Sequence, residues 1–386
     1  MRRLGWLITA SPSYARSQTA LAGLRDRGVP YVVLVTASAL VRDYGAVVQH
    51  IEADGHPICR IESAAAGSTP ISQALTDAQT GIALTQTLAQ ASVTDVVIVA
   101  DRSETLSAAH AARALGLTIW HLQGGEVSGN IDDRIRDSNT CLADWHLVAS
   151  ETSAARVREI GADPARVIVT GCPSLDLAQD SRVSNRAPVT CAELGGTGAD
   201  VDLAGPFALV LLHPVTDEYG QGRTQAGIVK QALAELEIPV VWQRPGPDAG
   251  AGDIARSLSR AEHEHADRAW HYFHRIAPAR YYDLLRQCRV LVGNSSVGIR
   301  ECAYLGVPVV NIGARQRGRD RGENVLDVGW DSAAIASAVQ WQAWRWGLIP
   351  SSRVYGGPGA GARVAEAIAA EVGGSCPARA WTLCMG

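Results

Sequence analysis

Residues 294–296, Asn-Ser-Ser, stand between a short apolar run at 290–293 and a stretch of helical spacing at 297–305 that stops at Gly306. A second apolar run at 307–312 follows, so the segment reads as strand, tight turn, helix and strand: one βαβ unit. Asn294, Ser295 and Ser296 are small and can donate hydrogen bonds. They sit where a helix offers unpaired N–H groups and the positive end of its dipole, a setting suited to an anion. Glu301, one to two turns further on, is placed to accept hydrogen bonds from ribose hydroxyls. Arg315, Arg317, Arg319 and Arg321 follow the next strand. Each feature alone reads equally well as an ordinary serine N-cap or a solvated basic loop. Together they favour a nucleotide diphosphate site.

A second group of residues suits proton transfer. The all-apolar run at 96–100 has the character of a strand buried on both faces of a parallel sheet, and it ends in Asp101-Arg102. A carboxylate there lies in the crevice where open α/β sheets bind ligands, although Asp101 could also cap a helix at 103–115. The strand at 118–121 opens the stretch HLQGGEVSGNIDDRIRD, whose Glu126, Asp132 and Asp133 would face Asp101. Carboxyl groups brought together in this way exchange protons when burial separates their pKa values. His213 ends the strand at 207–212, and Arg244 follows the strand at 239–242. Cys172 has no histidine near it in sequence and reads as a turn residue. His263, His265, His271 and His274 crowd one stretch read as helical, but no acidic or thiol set completes a metal site, and none is expected.

These blocks resemble the UDP-N-acetylglucosamine 2-epimerase family, particularly its hydrolysing, sialic-acid-pathway branch. The matching stretches are 293–301, 306–311, Arg315-Gln316 and 322–325, extended by Asp101-Arg102, His121, Gly124-Gly125, Glu126, Asp132-Asp133, Gly171-Cys172-Pro173-Ser174 and His213. The resemblance implies catalytic roles for Asp101, Glu126, Asp132 and His213. It implies nucleotide contacts from Arg16, Arg244, Asn294, Ser295, Ser296, Gly298, Glu301 and Arg315, with Arg102, Gln123 and Asp137 on the sugar side. It also implies a homodimer, and no cofactor or metal to hold the diphosphate.

The chain departs from the family pattern on that sugar side. Gln123 stands where the hydrolysing members carry a catalytic glutamate, and a carboxamide cannot accept a proton at neutral pH. Asp137 stands where the family has a histidine, Gly246 replaces the asparagine of Pro-Asn-x-Asp-Ala-Gly, and Ser11 replaces an arginine. Arg16 keeps a charge where the family has lysine, with a flatter, fork-like donor. Whether Glu126 or Asp137 takes over the missing proton transfer stays open at this level. The expected activity is a hydrolysing UDP-N-acetylglucosamine 2-epimerase-like one, eliminating UDP and hydrating the product. The alternative is a glycosyltransferase that moves a sugar from UDP or GDP to a small-molecule acceptor such as a thiol or amine.

Composition bounds the other classes. The 386 residues suffice for two domains, and 47% hydrophobic with 19% charged residues describes a globular chain. A net charge of −4 gives no support for nucleic-acid or anionic-membrane partners. No apolar run reaches the length of a membrane span, and residues 1–10 read as a buried strand rather than a signal peptide. Eight cysteines without a CxxC pair fit reduced thiols and a cytoplasmic protein. Lys230 is the only lysine, and it follows no glycine run, which excludes a P-loop.

The elements that must position these groups alternate strand and helix in both halves. The expected fold is α/β, with two doubly wound Rossmann-like domains facing across a cleft, as in the B-type glycosyltransferases. The expected division is a sugar-side domain at 1–178, a polar linker at 179–205, a nucleotide-binding domain at 206–360, and a terminal helix and tail at 361–386.

Overall fold

The computed structural model describes residues 2–41, 47–246 and 248–372. Its first half winds seven strands, β1 Leu4–Ile8, β2 Tyr31–Thr36, β3 Ile58–Ile61, β4 Asp95–Val99, β5 Thr118–Leu122, β6 Trp145–Val148 and β7 Val167–Val169. They form one parallel sheet in the order β3-β2-β1-β4-β5-β6-β7. The second half supplies β8 Thr197–Gly198, β9 Ala208–Leu211, β10 Val240–Gln243, β11 Trp270–Phe273, β12 Val290–Gly293, β13 Val309–Ile312 and β14 Val325–Val328. These run in the order β14-β13-β12-β9-β10-β11-β8, parallel except for β8 at the edge. Both sheets are doubly wound, and each reverses its strand order once, between β1 and β4 and between β9 and β12. Those two reversals open crevices at the carboxyl ends of the strands.

The central strands are buried throughout, because helices cover both faces of each sheet. On one face of the first sheet lie helices Pro70–Gln90 and Ser103–Ala114. The former begins with a reciprocal cap, Thr69 and Ser72 exchanging hydrogen bonds of 2.9 and 3.1 Å. On the other face, helix Gln18–Asp26 packs against helix Ala360–Val372, whose Val364, Ala365 and Ile368 share a core with Leu4, Trp6 and Ile8. The end of the described chain therefore returns to the first sheet. The link in the other direction is helix Ser174–Val183. Cys172, Leu175 and Ala178 lie in the core beneath β9 and β12, so the division expected after residue 178 falls inside an element of the second body.

Other local expectations change. The polar stretch 179–205, read as irregular, carries the end of that helix, a turn at Cys191–Leu194 and strand β8, which pairs antiparallel with β11. The tail at 373–386 lies outside the described residues. His263 ends helix Ala251–Glu264 and His265 follows it, whereas His271 is a strand residue of β11. Both ring nitrogens of His271 face carbonyl oxygens, those of Gly195 at 2.7 Å and Ala199 at 2.9 Å, so it serves as a strap rather than a metal ligand.

One glycine is required by the second crevice. Gly293 ends β12 at φ 140°, and a Cβ there would lie 2.1 Å from the Leu211 carbonyl oxygen of β9. Gly293→Ala is expected to cost about 1–3 kcal/mol in backbone strain alone, with the clash added, measured by urea unfolding. A loss below 0.5 kcal/mol, on the order of an ordinary surface substitution, would contradict so tight an approach of β12 to β9.

Candidate active site

The two crevices face each other, and the groups singled out by the sequence collect where they meet. In the first sheet, β4 runs into Ala100, held in the left-handed region at φ 59°, and then into Asp101. The strained turn is fixed by its own carbonyl, which takes hydrogen bonds from His121 Nε2 at 2.9 Å and Asn139 Nδ2 at 3.3 Å. β5 ends one residue before Gln123, also left-handed, at φ 66°. Two non-glycine residues in that region at adjacent strand ends are the kind of stored strain that accumulates at functional rims. Helix Asp132–Leu142 then brings Asp132, Asp133 and Arg136 beneath Asp101.

In the second sheet, Asn294 bridges the point of reversal. Its side chain donates to the His213 carbonyl and accepts from the His213 N–H, both at 2.8 Å. The carboxamide expected to meet a nucleotide is thus consumed in fixing His213. Its backbone carbonyl in turn takes Arg315 Nη1 and Gln316 Nε2, each at 3.1 Å. Ser295 caps the following turn, accepting from Val297 N–H at 3.4 Å. The single helix expected at 297–305 is two short ones, Ser296–Ile299 and Glu301–Leu305, broken at Arg300. There the Arg300 side chain leaves for Ser296 Oγ at 3.0 Å and for Glu126 in the other half. Gly298 presses on the sheet, since a Cβ would lie 2.8 Å from Val309 Cγ1. It faces the core rather than a ligand.

Several ties close the halves on each other. Glu126 accepts Arg300 Nη1 at 3.2 and 3.1 Å on its two oxygens and also pairs with Arg319. All three side chains are buried. Arg102 bridges Glu104 and Asp248, both at 3.0 Å. Gly318 N–H meets the Ser128 carbonyl at 3.1 Å, and Ile131 N–H meets Asp217 at 3.2 Å. Glu126, expected to carry protons, is a clasp between the domains.

The charges within the cleft set the chemistry. Burial would raise the Asp101 carboxyl, but Arg136, Arg319 and Arg16 outweigh it and hold that carboxyl well below the usual carboxylate range. Asp132 goes the other way. Burial, then the negative charge of Asp101, pushes it up to about 6 against Arg315 and Arg136. Burial first, then the charge of Arg315, brings His213 down to about 3, so its imidazole is neutral near pH 7. Burial and the charge of Arg300 lower Arg16 to about 10, still a cation. Among the described residues Arg16 forms no side-chain hydrogen bond or ion pair. Glu301 is buried, with one carboxylate oxygen unpartnered.

Asp101, Asp132, Arg16, His213, Glu301 and Arg315 therefore form one electrostatically connected group. Two expected members stand outside it. Arg244 turns back over the Tyr272 ring and pairs with Glu262 of helix Ala251–Glu264. Asp137 pairs with Arg156 at 2.8 Å. Gln123 stays at the rim, its Nε2 donating to Cys172 Sγ at 2.7 Å and its oxygen unpartnered. Of the arginine loop, Arg317 is exposed and Arg321 knits the loop to itself and to Asp327, leaving Arg315 and Arg319 inward.

Arg136, Arg300 and Asp248 were not read as site residues. Arg300 carried a readable signal, being a guanidinium between the apolar positions Ile299 and Cys302 of a helix that faces the core.

A neutral imidazole, two serines and unpaired guanidinium groups suit a diphosphate. Two carboxyls with separated proton affinities suit acid–base work beside it. A family model described as UDP-N-acetylglucosamine 2-epimerase matches residues 23–369. A UDP-N,N'-diacetylbacillosamine 2-epimerase (hydrolyzing) from Legionella pneumophila is 30% identical over 345 residues, covering 88% of each chain. A UDP-N-acetylglucosamine 2-epimerase from Neisseria meningitidis is 29% identical over 245 residues, 64% of this chain and 62% of that one. The structure of the Methanocaldococcus jannaschii UDP-GlcNAc 2-epimerase in complex with UDP-GlcNAc and UDP superposes with a TM-score of 0.79. At 12% identity, over 95% of this chain and 99% of that one, the superposition speaks for the fold.

Proposed function

The chain belongs to the UDP-N-acetylglucosamine 2-epimerase family, and on that premise we propose that it hydrolyses a UDP-sugar, most simply UDP-N-acetylglucosamine, with inversion at C2. A base takes the C2 proton, the C1–O bond breaks with its electron pair leaving on UDP, and a glycal remains. Water then adds its hydroxyl to C1, and a proton returns to C2 from the other face. No acceptor other than water is needed. The names of the relatives favour this reading over glycosyl transfer.

The observation that carries it is the Asp101–Asp132 pair. Removal of the C2 proton needs a base, and breaking the C1–O bond needs a fixed negative charge beside the positive charge that develops at C1. These two carboxyls sense each other's charge while their environments drive their pKa values apart. Asp132, raised to about 6, is matched to proton exchange near neutrality. Asp101 stays ionised and suits stabilisation of positive charge developing at C1. His213, Ser295, Ser296, Arg16 and Arg315 hold the diphosphate and spread the charge of its departure, and the free oxygen of Glu301 takes a ribose hydroxyl. Arg102, through Asp248, and Gln123 shape the sugar side without exchanging protons. The test is the pH dependence of UDP release from UDP-N-acetylglucosamine. With Asp132 as base, kcat/KM rises with pH through an apparent pKa near 6, as that carboxyl is held. A rate flat from about pH 5 to 7 would contradict this role for a group titrating there.

A homodimer belongs to the same proposal. Ile71, Leu75 and Ile82 are 74%, 51% and 64% exposed on helix Pro70–Gln90. With Ala78, Thr85 and Ala89 they form a stripe of alternating four- and three-residue steps, the spacing of a helix-pairing seam. No helix among the described residues is long and apolar enough to cross a membrane. The unpaired thiols of Cys59, Cys141, Cys172, Cys191, Cys288 and Cys302 support placement in the reducing cytoplasm.

A further inference from the structure

Arg275 lies in the loop between β11 and helix Pro278–Gln287, at the carboxyl edge of the second sheet. Among the described residues its guanidinium forms no hydrogen bond and no ion pair. It is nevertheless partly buried. Burial lowers its pKa, and the negative charge available to Tyr281 and Asp248 opposes that only in part. The one carboxylate in reach, Asp248, is already held by Arg102 at 3.0 Å. A partly buried cation without a counter-ion carries a desolvation cost, which an anionic ligand would offset.

Where Arg275 points decides what completes it. His213 and Tyr281 both feel its charge, and Tyr281 also feels Glu301. Arg275 is therefore within electrostatic reach of His213. Its Nη2 sits 3.2 Å from where a Cβ of Gly246 would be. Gly246 is the position at which the family pattern has asparagine, so the guanidinium fills space that the missing carboxamide leaves.

We propose that Arg275 is a further substrate-binding residue, donating to an oxygen of the nucleotide's diphosphate from the space left open at Gly246. With Arg16 and Arg315 it makes three cleft guanidiniums that have no carboxylate partner, set against a dianionic ligand. The proposal rests on the nucleotide-sugar reading above. It differs from the sequence expectation in taking the arginine from the end of β11 rather than Arg244 from the end of β10.

The test is calorimetric titration of UDP into the full chain, wild type against Arg275→Gln, Arg275→Lys and the double variant Gly246→Asn/Arg275→Gln. Thermal melts confirm that each is folded. Arg275→Gln is expected to weaken UDP binding tenfold or more, Arg275→Lys to retain part of it as a point charge, and the double variant to recover part through a carboxamide donor. Gly246→Asn alone is expected to weaken binding, because its side chain displaces the guanidinium. UDP affinity within twofold of wild type in folded Arg275→Gln overturns the proposal. So does a rise in KM for UDP-N-acetylglucosamine with UDP affinity unchanged, which moves the contact to the sugar. A wild type that does not bind UDP overturns this proposal and the nucleotide-sugar reading together, which separates the two failures.

Discussion

Asp132→Asn is expected to lower kcat for UDP release by about 10²–10⁴-fold, the usual contribution of a positioned acid–base group, while making the protein more stable at pH 8. The two effects have one cause. Burial and the neighbouring Asp101 charge raise the Asp132 carboxyl to about 6, whereas in the unfolded chain it titrates near the ordinary ~3.9. Between those values the native state binds the proton more tightly than the unfolded state, so stability falls as pH rises through the window. Above it, the folded protein holds an unfavourable carboxylate at a cost of about 3 kcal/mol, which a neutral amide removes. The melting temperature of Asp132→Asn should exceed that of wild type at pH 8, and the gap should close towards pH 4. Unchanged turnover, or a variant less stable at pH 8, would contradict the assignment.

Glu126→Ala is expected to destabilise the protein by about 3–5 kcal/mol, the cost of leaving buried partners of an ion pair uncompensated. Arg300 would lose its counter-charge inside the seam between the sheets, and Arg319 would keep only its longer contact with Asp101 at 3.7 Å. Glu126→Gln keeps the shape and an acceptor but not the charge, so its loss should be nearly as large. Urea unfolding of both variants measures this. A loss below about 1 kcal/mol, typical of an exposed pair, would mean that the cleft is open and hydrated in solution, with the clasp unmade. With the expected large loss, activity lost in Glu126→Ala follows from the geometry of closure rather than from proton transfer.

Much of this site could be read from strand ends. An all-apolar run followed by a carboxylate gave Asp101, and the same logic gave His213 and residues 294–296, because parallel strands deliver their next residues into the crevice. What could not be read is which way a long side chain turns once there. Arg244 and Arg275 each follow a strand of the same sheet, yet one folds back onto Glu262 and the other stays in the cleft. Arg317 and Arg319 are two residues apart, and only the second reaches Glu126. Asn294 looked like a ligand contact because it directly follows the carboxyl end of β12. Its carboxamide was taken by His213, a pairing between residues 81 apart in sequence. The raised Asp132 carboxyl has no local signature at all, since its causes are burial and then Asp101 on another element. The stretch 179–205 was missed because its short elements are shaped by the second core and by β11, not by periodicity of their own.

Gln123 is where family and chain disagree most directly. Its amide is tied to Cys172 and its oxygen has no partner, so on the reading proposed above removal of the C2 proton falls to Asp132. The most direct test is proton NMR of the full chain with UDP-N-acetylglucosamine alone in deuterated water. Release of UDP together with the free 2-epimer carrying deuterium at C2 is the expected result. UDP released with the C2 proton retained, or no turnover until a second substrate is added, would contradict it and return the chain to glycosyl transfer.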